Sequence, residues 1–265
     1  MQKKLSFQNK ELRYRVRGQG QPVVLVHGFG EDHRVWDFQA AQLEQRFMLI
    51  LPDLPGSGTS ELTKDVSMEN LAEALHAILQ EEKVDSTVML GHSMGGYVTL
   101  AFAEKYPDAL KAFGLVHSTS YADTDEKKQT RRKGIEFINS HGVQEFFKAT
   151  SPNLFSDHTK EHNPGLIDVL INQYKDMNAA SLVAYYEAMM RRPDRQEVLK
   201  NFNRPILFLA GEQDTTIPYE TVKQQSGLPL LSYLHVLHLS GHMGMWEEPN
   251  ESGFILEEFI KTNVL

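Results

Sequence analysis

The chain of 265 residues contains no cysteine, which excludes disulfides, thiolate metal sites and a cysteine nucleophile. Long hydrophobic runs are also missing. No stretch reaches about 18 apolar residues, so we expect no membrane span, and the N-terminal MQKKLSFQNKELRYRV is too polar for a signal peptide. Basic residues are the minority, 27 against 35 acidic ones, for a formal net charge of −8. That charge argues against nucleic acid or an anionic membrane as a partner. We expect a cytoplasmic protein, with monomer and homodimer both open.

The apolar segments that are present predict an α/β fold. KLSFQ and ELRYRVRG alternate apolar and polar residues around NK, which predicts a hairpin. PVVLVHG, FMLILPD, STVMLGHS, KAFGLVHS, PILFLAGEQD and SYLHVLHLSGH are continuous apolar runs, typical of strands buried on both faces. Helical patterns lie between them, at 36–45, 68–82, 94–106 and 250–261. Strand and helix alternation predicts a mostly parallel sheet with helices on both faces.

One long segment breaks this alternation. Residues 121–202 show helical patterns but no convincing strand, so we predict a helical cap (121–202) inserted into a core formed by 1–120 and 203–265. We interpret the charges of DTDEKKQTRRK as a solvated helix face. Aromatic and methionine residues of the segment are more typical of ordinary packing, and the alternative is that some of them line a substrate pocket. The candidates for this lining are Phe146, Phe147, Tyr185 and Met189. Arg191 and Arg192 are interpreted as a solvated helix end, with a substrate carboxylate as the alternative.

The stretch GHSMG places Ser93 between two glycines, directly after the buried strand STVML and at the start of a helix. A strand that reverses into a helix within a few residues forces a strained backbone at the serine, and Gly91 and Gly95 remove side chains that would collide there. The serine hydroxyl is thereby held at the carboxyl end of the strands. We predict that Ser93 is a nucleophile. His92, on the same sharp turn, is not expected to reach its oxygen.

A serine hydroxyl needs a base within hydrogen-bonding distance, and the base needs an orienting acid. His242, in LSGHMGMWEEP, follows the last predicted strand and is the best candidate base. Asp214, in LAGEQDTTIP, follows the strand before it and is favoured as the acid over Glu212, which we expect to face solvent. Asp53, in LPDLPGSGTS, is expected to cap its own loop.

These segments closely resemble the α/β-hydrolase fold family. VHGFGEDHRVW, PDLPGSGTS, GHSMGGYVTL, FLAGEQDTTIP and SGHMGMWEEP occur in the family's order, and the resemblance spans about residues 5 to 262. It implies an eight-stranded, mostly parallel sheet with a helical cap over the active site. It also implies a triad of Ser93, Asp214 and His242, with the N–H groups of Phe29 and Met94 as an oxyanion hole. Epoxide hydrolases and haloalkane dehalogenases usually carry Asp where this chain has Ser93.

The predicted function is a serine hydrolase that cleaves carboxylic esters of small, moderately apolar substrates through an acyl-enzyme. No cofactor and no metal are expected. A carbon–carbon bond hydrolase or related lyase with the same triad is the alternative. A non-catalytic receptor or scaffold for a small ligand is an alternative of another class, disfavoured because a binder has no use for an activated serine.

Overall fold

The computed structural model describes residues 1–264, so Leu265, the last residue of the predicted 203–265 core, lies outside the described residues. Within this range eight strands form one sheet in the order β1-β2-β4-β3-β5-β6-β7-β8. The strands are β1 Gln2–Phe7, β2 Lys10–Arg17, β3 Gln21–Val26, β4 Phe47–Pro52, β5 Thr87–His92, β6 Leu110–Val116, β7 Ile206–Gly211 and β8 Ser232–Leu237. β2 pairs antiparallel with β1 and β4, and all other pairs are parallel. The predicted mostly parallel, eight-stranded sheet is confirmed.

The N-terminal hairpin turns one residue earlier than the sequence predicts. Phe7 pairs with Lys10, so the two turn residues are Gln8 and Asn9. Both have positive φ, 52° and 60°. Positive φ at both central residues is the geometry of the primed hairpin turn that matches the twist of the strands.

Helices cover both faces of the sheet. They are α1 Asp37–Leu43, α2 Met68–Glu81, α3 Met94–Lys105, α4 Asp125–His141, α5 Val143–Thr150, α6 Asp157–His162, α7 Gly165–Tyr174, α8 Ala179–Arg191, α9 Gln196–Asn201, α10 Tyr219–Ser226, α11 Gly244–Glu247 and α12 Pro249–Val264. Residues of β3 alternate between two cores: Val24 and Val26 pack with α2 and α3, while Val23 and Leu25 pack with α1 and α12. This alternation explains the continuous apolar runs, because both faces of each central strand are buried.

The segment 121–202 contains helices α4 to α9. Apolar residues from these helices pack against the hydrophobic cores of the sheet. Phe146 and Leu182 join one of the two cores, and Met189 and Leu199 join the other. None of the helices within residues 1–264 combines the length and apolar character needed to cross a bilayer.

The parallel strands end at one common edge, and this edge collects the candidate site residues. Phe29 follows β3, Ser93 follows β5, Asp214 follows β7 and His242 follows β8. In open α/β sheets, functional groups gather outside the carboxyl ends of the strands.

Candidate active site

Ser93 occupies the turn between β5 and α3 with φ 51° and ψ −115°. This left-handed conformation is unusual for a residue with a side chain and costs free energy. Hydrogen bonds to the next strand hold it in place. The Ser93 N–H donates to the Val116 carbonyl at 2.9 Å, and the Ser118 hydroxyl donates to the Ser93 carbonyl at 2.7 Å.

The glycines around Ser93 allow backbone segments to approach closely. A Cβ atom on Gly95 would lie 2.5 Å from the carbonyl oxygens of Val26 and His27, and one on Gly91 would collide with the Gly95 carbonyl. No real Cβ atom tolerates such contacts. The start of α3 is therefore pressed against the end of β3, and this brings the turn at Ser93 beside the loop that contains Phe29.

His242 joins Ser93 to Asp214. Its Nε2 lies 2.9 Å from Ser93 Oγ, and its Nδ1 lies 2.7 Å from Asp214 Oδ2. A carboxylate only accepts, so Nδ1 carries the proton and Nε2 is free to accept the serine proton. The backbone N–H of His242 donates to the Leu154 carbonyl at 2.7 Å, and this bond fixes the backbone at the base. The structure thus brings together the three side chains that the sequence analysis selected from distant segments.

The Asp214 carboxylate is buried and held ionised. Burial by itself raises its pKa, but the charge and hydrogen bond of His242, with the ring of His117 at 3.4 Å, hold the pKa of Asp214 well below its usual range. Its other oxygen, Oδ1, accepts the N–H groups of Thr216 at 2.8 Å and Ile217 at 2.9 Å. Glu212 instead pairs with His238 at the surface. An ionised Asp214 can orient His242 and stabilise its charged form.

The ring of His27 holds the loop after β3 in place through two hydrogen bonds. The Leu54 N–H donates to His27 Nε2 at 3.0 Å, so Nδ1 carries the proton and donates to the Gly28 carbonyl at 2.8 Å. Burial lowers the pKa of His27, so the ring is neutral. Phe29 is half-buried next to this anchored pair. Met94 is the first residue of α3, so its N–H has no partner within the helix.

A second buried pair, Glu31 and His92, connects the loops of the site. Glu31 Oε2 accepts the Gly28 N–H at 2.6 Å and lies 2.9 Å from His92 Nδ1, while His92 Nε2 lies 3.0 Å from the His242 carbonyl. Both partners of the ring are acceptors, so both nitrogens donate and the ring is a cation. Burial lowers the pKa of His92, but the charge and hydrogen bond of Glu31, the His242 carbonyl and the charge of Asp214 together raise it more. The pKa of Glu31 is lowered in turn. As predicted, His92 does not bond to the Ser93 oxygen.

Ser93 and His242 open into a cavity of about 380 Å³, a size suited to a small ligand. Three of the four predicted lining residues, Phe146, Phe147 and Met189, line it. Phe29 adds an aromatic wall stacked on Tyr186 at a centroid distance of 4.2 Å.

The prediction that Tyr185 lines the cavity is wrong, because Tyr185 lies outside the lining. It is fully buried, and its hydroxyl donates to the Pro55 carbonyl at 2.7 Å and lies 3.0 Å from Ser57 Oγ. The next residue along α8, Tyr186, lines the cavity instead. The sequence offered two adjacent tyrosines and no signal for which of them faces the substrate.

Two interpretations of charged residues also change. Lys127 and Arg131, assigned above to a solvated helix face, line the cavity. Their spacing of four residues places them on one side of α4, and this spacing was the available signal. Arg191 is exposed as expected, but Arg192 is buried and bonded to Asp123 and to the carbonyls of Met189 and Tyr121.

Asp53 caps its loop as predicted. Its Oδ2 accepts the Thr59 N–H at 3.0 Å, and its Oδ1 lies 2.5 Å from His33 Nδ1. Asp32 lies beside Asp53 and His33 and forms an ion pair with Arg34. Both carboxylates are therefore already bonded within the protein.

The sheet topology and a family comparison agree on the class of protein. A family model described as alpha/beta hydrolase fold matches residues 21–249. The chain belongs to this family.

Particular relatives are lipases, lactonases and esterases. Lipase 3 of Moraxella sp. is 27% identical over 237 residues, which cover 86% of this chain and 73% of the lipase. 3-Oxoadipate enol-lactonase 1 of Acinetobacter baylyi is 24% identical over 259 residues, 96% of this chain and 95% of the lactonase. A thermophilic esterase from Thermogutta terrifontis, solved with malate bound, matches with a TM-score of 0.94 at 28% identity, covering 100% of both chains. These similarities support a hydrolase.

Proposed function

We propose that the protein is a serine hydrolase that cleaves carboxylic esters of small, moderately apolar substrates through an acyl-enzyme. The observation that carries this proposal is the pair of hydrogen bonds at His242, 2.9 Å to Ser93 Oγ and 2.7 Å to Asp214 Oδ2. A nucleophile, a base and an orienting acid joined in this way are the requirement for an activated serine. The similarity to esterases and lipases supports the same activity.

In the proposed mechanism, Ser93 Oγ attacks the ester carbonyl while His242 Nε2 takes the serine proton. The tetrahedral intermediate collapses when His242 returns this proton to the leaving alcohol. Water then attacks the acyl-enzyme with His242 as the base, and the carboxylic acid leaves. Asp214 keeps the imidazole in the required tautomer and stabilises its cation. No step calls on a metal or a cofactor.

The N–H groups of Phe29 and Met94 are proposed to bind the oxyanion of the intermediate. Both residues flank Ser93, one from the loop after β3 and one from the first turn of α3. The N-terminal end of α3 also favours negative charge. A single donor of this kind is typically worth about 10²–10³ in kcat.

Residues 121–202 are proposed to act as a cap that selects the substrate. Phe146 and Met189, from α5 and α8, line the cavity above Ser93. Both lie in the helical segment and both are buried. Apolar walls of this kind suit a modest apolar acyl or alcohol group. The proposed partner is therefore a small molecule, and the proposed compartment is the cytoplasm.

Incubation with a fluorophosphonate probe tests the proposal. We expect covalent labelling of Ser93 and hydrolysis of short p-nitrophenyl esters, with both lost in Ser93→Ala while the circular dichroism spectrum stays unchanged. Absence of labelling in the folded wild-type protein would support a non-catalytic binder. Turnover of a vinylogous diketone in preference to every ester would support a carbon–carbon hydrolase.

A further inference from the structure

The cavity at Ser93 has a cationic side that ester hydrolysis in general does not require. Lys127 and Arg131 lie one turn apart on α4 and both line the cavity. They do so in a chain whose formal net charge is −8. Both side chains are partly buried, and a charge turned toward a partly apolar space loses part of its hydration. Two such charges at one small cavity need an explanation.

Lys127 keeps unused hydrogen-bonding capacity. Its Nζ donates to the Thr216 carbonyl at 2.9 Å. An ammonium group has three N–H donors, so two are available to a ligand. Within the part of the chain that the structure describes, no carboxylate lies within ion-pair distance of this Nζ. The carbonyl bond orients the ammonium group but does not neutralise it.

The neighbouring charges leave an excess of positive charge. Arg131 pairs with Asp123 at 2.5 Å, but the same carboxylate also pairs with Arg192 at 2.8 Å. One acid therefore balances two guanidinium groups. The acid that lines the cavity itself, Glu31, is already paired with His92. The charge of Lys127 has no counter-ion from these groups.

We propose that Lys127, supported by Arg131, forms a carboxylate subsite for the substrate of the proposed esterase. The substrate class is then the monoester of a small dicarboxylic acid, with its ester carbonyl at Ser93 and its free carboxylate at Lys127. Hydrolysis adds water across the acyl–oxygen bond and releases the alcohol, the dicarboxylate and a proton. The aromatic wall of Phe29, Phe146 and Tyr186 contacts the hydrocarbon part between the two groups. This inference rests on the proposed function for its chemistry, but not for its binding site.

The kinetic test compares monoethyl succinate with the neutral diethyl succinate. We measure kcat/KM for both in the wild type, in Lys127→Gln and in the matched control Lys128→Gln, which removes the same charge from the next position of α4, outside the cavity lining. The ratio of monoester to diester kcat/KM is expected to fall about 10- to 100-fold in Lys127→Gln, the usual weight of a hydrogen bond to a charged group. It is expected to stay within about twofold of wild type in Lys128→Gln.

A binding measurement keeps the inference separate from the proposed function. Succinate should bind the wild type in calorimetry, compete with the fluorophosphonate probe, and bind about tenfold or more weakly to Lys127→Gln than to Lys128→Gln. Equal succinate binding by both variants, or an unchanged substrate ratio in Lys127→Gln, would overturn the carboxylate subsite even if Ser93 is labelled. Succinate binding that depends on Lys127, combined with an unlabelled Ser93, would support the subsite and reject the esterase.

Discussion

Asp53, beside the site, is a single residue that stays ionised although burial favours its neutral form. Its side chain is almost fully buried, yet burial is outweighed by the hydrogen bond and charge of His33 and by the Thr59 N–H, so its pKa falls from 3.8 to about 2. A Cβ on Gly58 would collide with this carboxylate, and Gly58 has φ 52°. The loop after β4 is therefore built around an ionised Asp53.

We predict that Asp53 stabilises the fold at neutral pH but not in acid. Because its pKa is lower in the folded chain, the contribution is complete above pH 3.8 and is lost as pH falls toward 2. At about 1.4 kcal/mol for each unit by which the pKa is lowered, the contribution is about 2 kcal/mol. Urea unfolding should show this loss for Asp53→Asn at pH 6, and a smaller one at pH 3. The exposed Asp157→Asn serves as control, and a loss for Asp53→Asn that is equal at both pH values would contradict the assignment.

At the scale of elements, the junction of β5 and α3 decides where the nucleophile lies. The strand, the helix and the end of β3 meet without side chains between them, because Gly91 and Gly95 lack Cβ atoms. The positive φ of Ser93 is the cost of this close approach, and the hydrogen bonds from Ser93 and Ser118 compensate for part of it. Local sequence thus determines a tertiary position.

We predict that Gly95→Ala destabilises the protein by about 3 kcal/mol or more, because a methyl group would lie 2.5 Å from two backbone oxygens that cannot move independently. Gly165→Ala is the matched control, since nothing lies within 4 Å of its Cβ position at the start of α7. That substitution should be neutral or stabilise by about 0.5 kcal/mol. Urea midpoints of both variants check this, and equal midpoints would show that the junction is not tightly packed.

At the scale of the whole molecule, the helical segment 121–202 contains a buried charge cluster, and one member of this cluster contacts the core beside the apolar packing. Asp123 bonds Arg131 of α4 and Arg192 after α8. The Arg192 guanidinium also lies 3.8 Å from the ring centre of Tyr97, in α3 of the core. Burial raises the pKa of Asp123, but the hydrogen bonds and charges of Arg131 and Arg192 together lower it more.

We predict that Asp123→Asn destabilises the protein by about 3 kcal/mol, because it leaves two largely buried guanidinium groups without their carboxylate. Glu187→Gln removes an acid from the exposed pair with Arg191 at 3.7 Å, and it should cost less than about 0.5 kcal/mol. Thermal or urea unfolding of both variants measures the difference. A similar small loss in both would mean that the buried cluster contributes little to the stability of the protein.

Local sequence patterns were enough to predict the sheet, the junction at Ser93 and the choice of Asp214 over Glu212, because each pattern ends at the same edge of a parallel sheet. Which residues line the cavity depends instead on contacts between distant parts of the chain. Tyr185 turns inward because its hydroxyl finds the Pro55 carbonyl, about 130 residues away in the chain, and Tyr186 then faces the substrate space. Lys127 likewise donates to the carbonyl of Thr216, about 90 residues away in the chain, and both residues line the cavity. Contacts between distant segments determine which face of a helix is turned toward the cavity, and the periodicity of the helix does not specify these contacts.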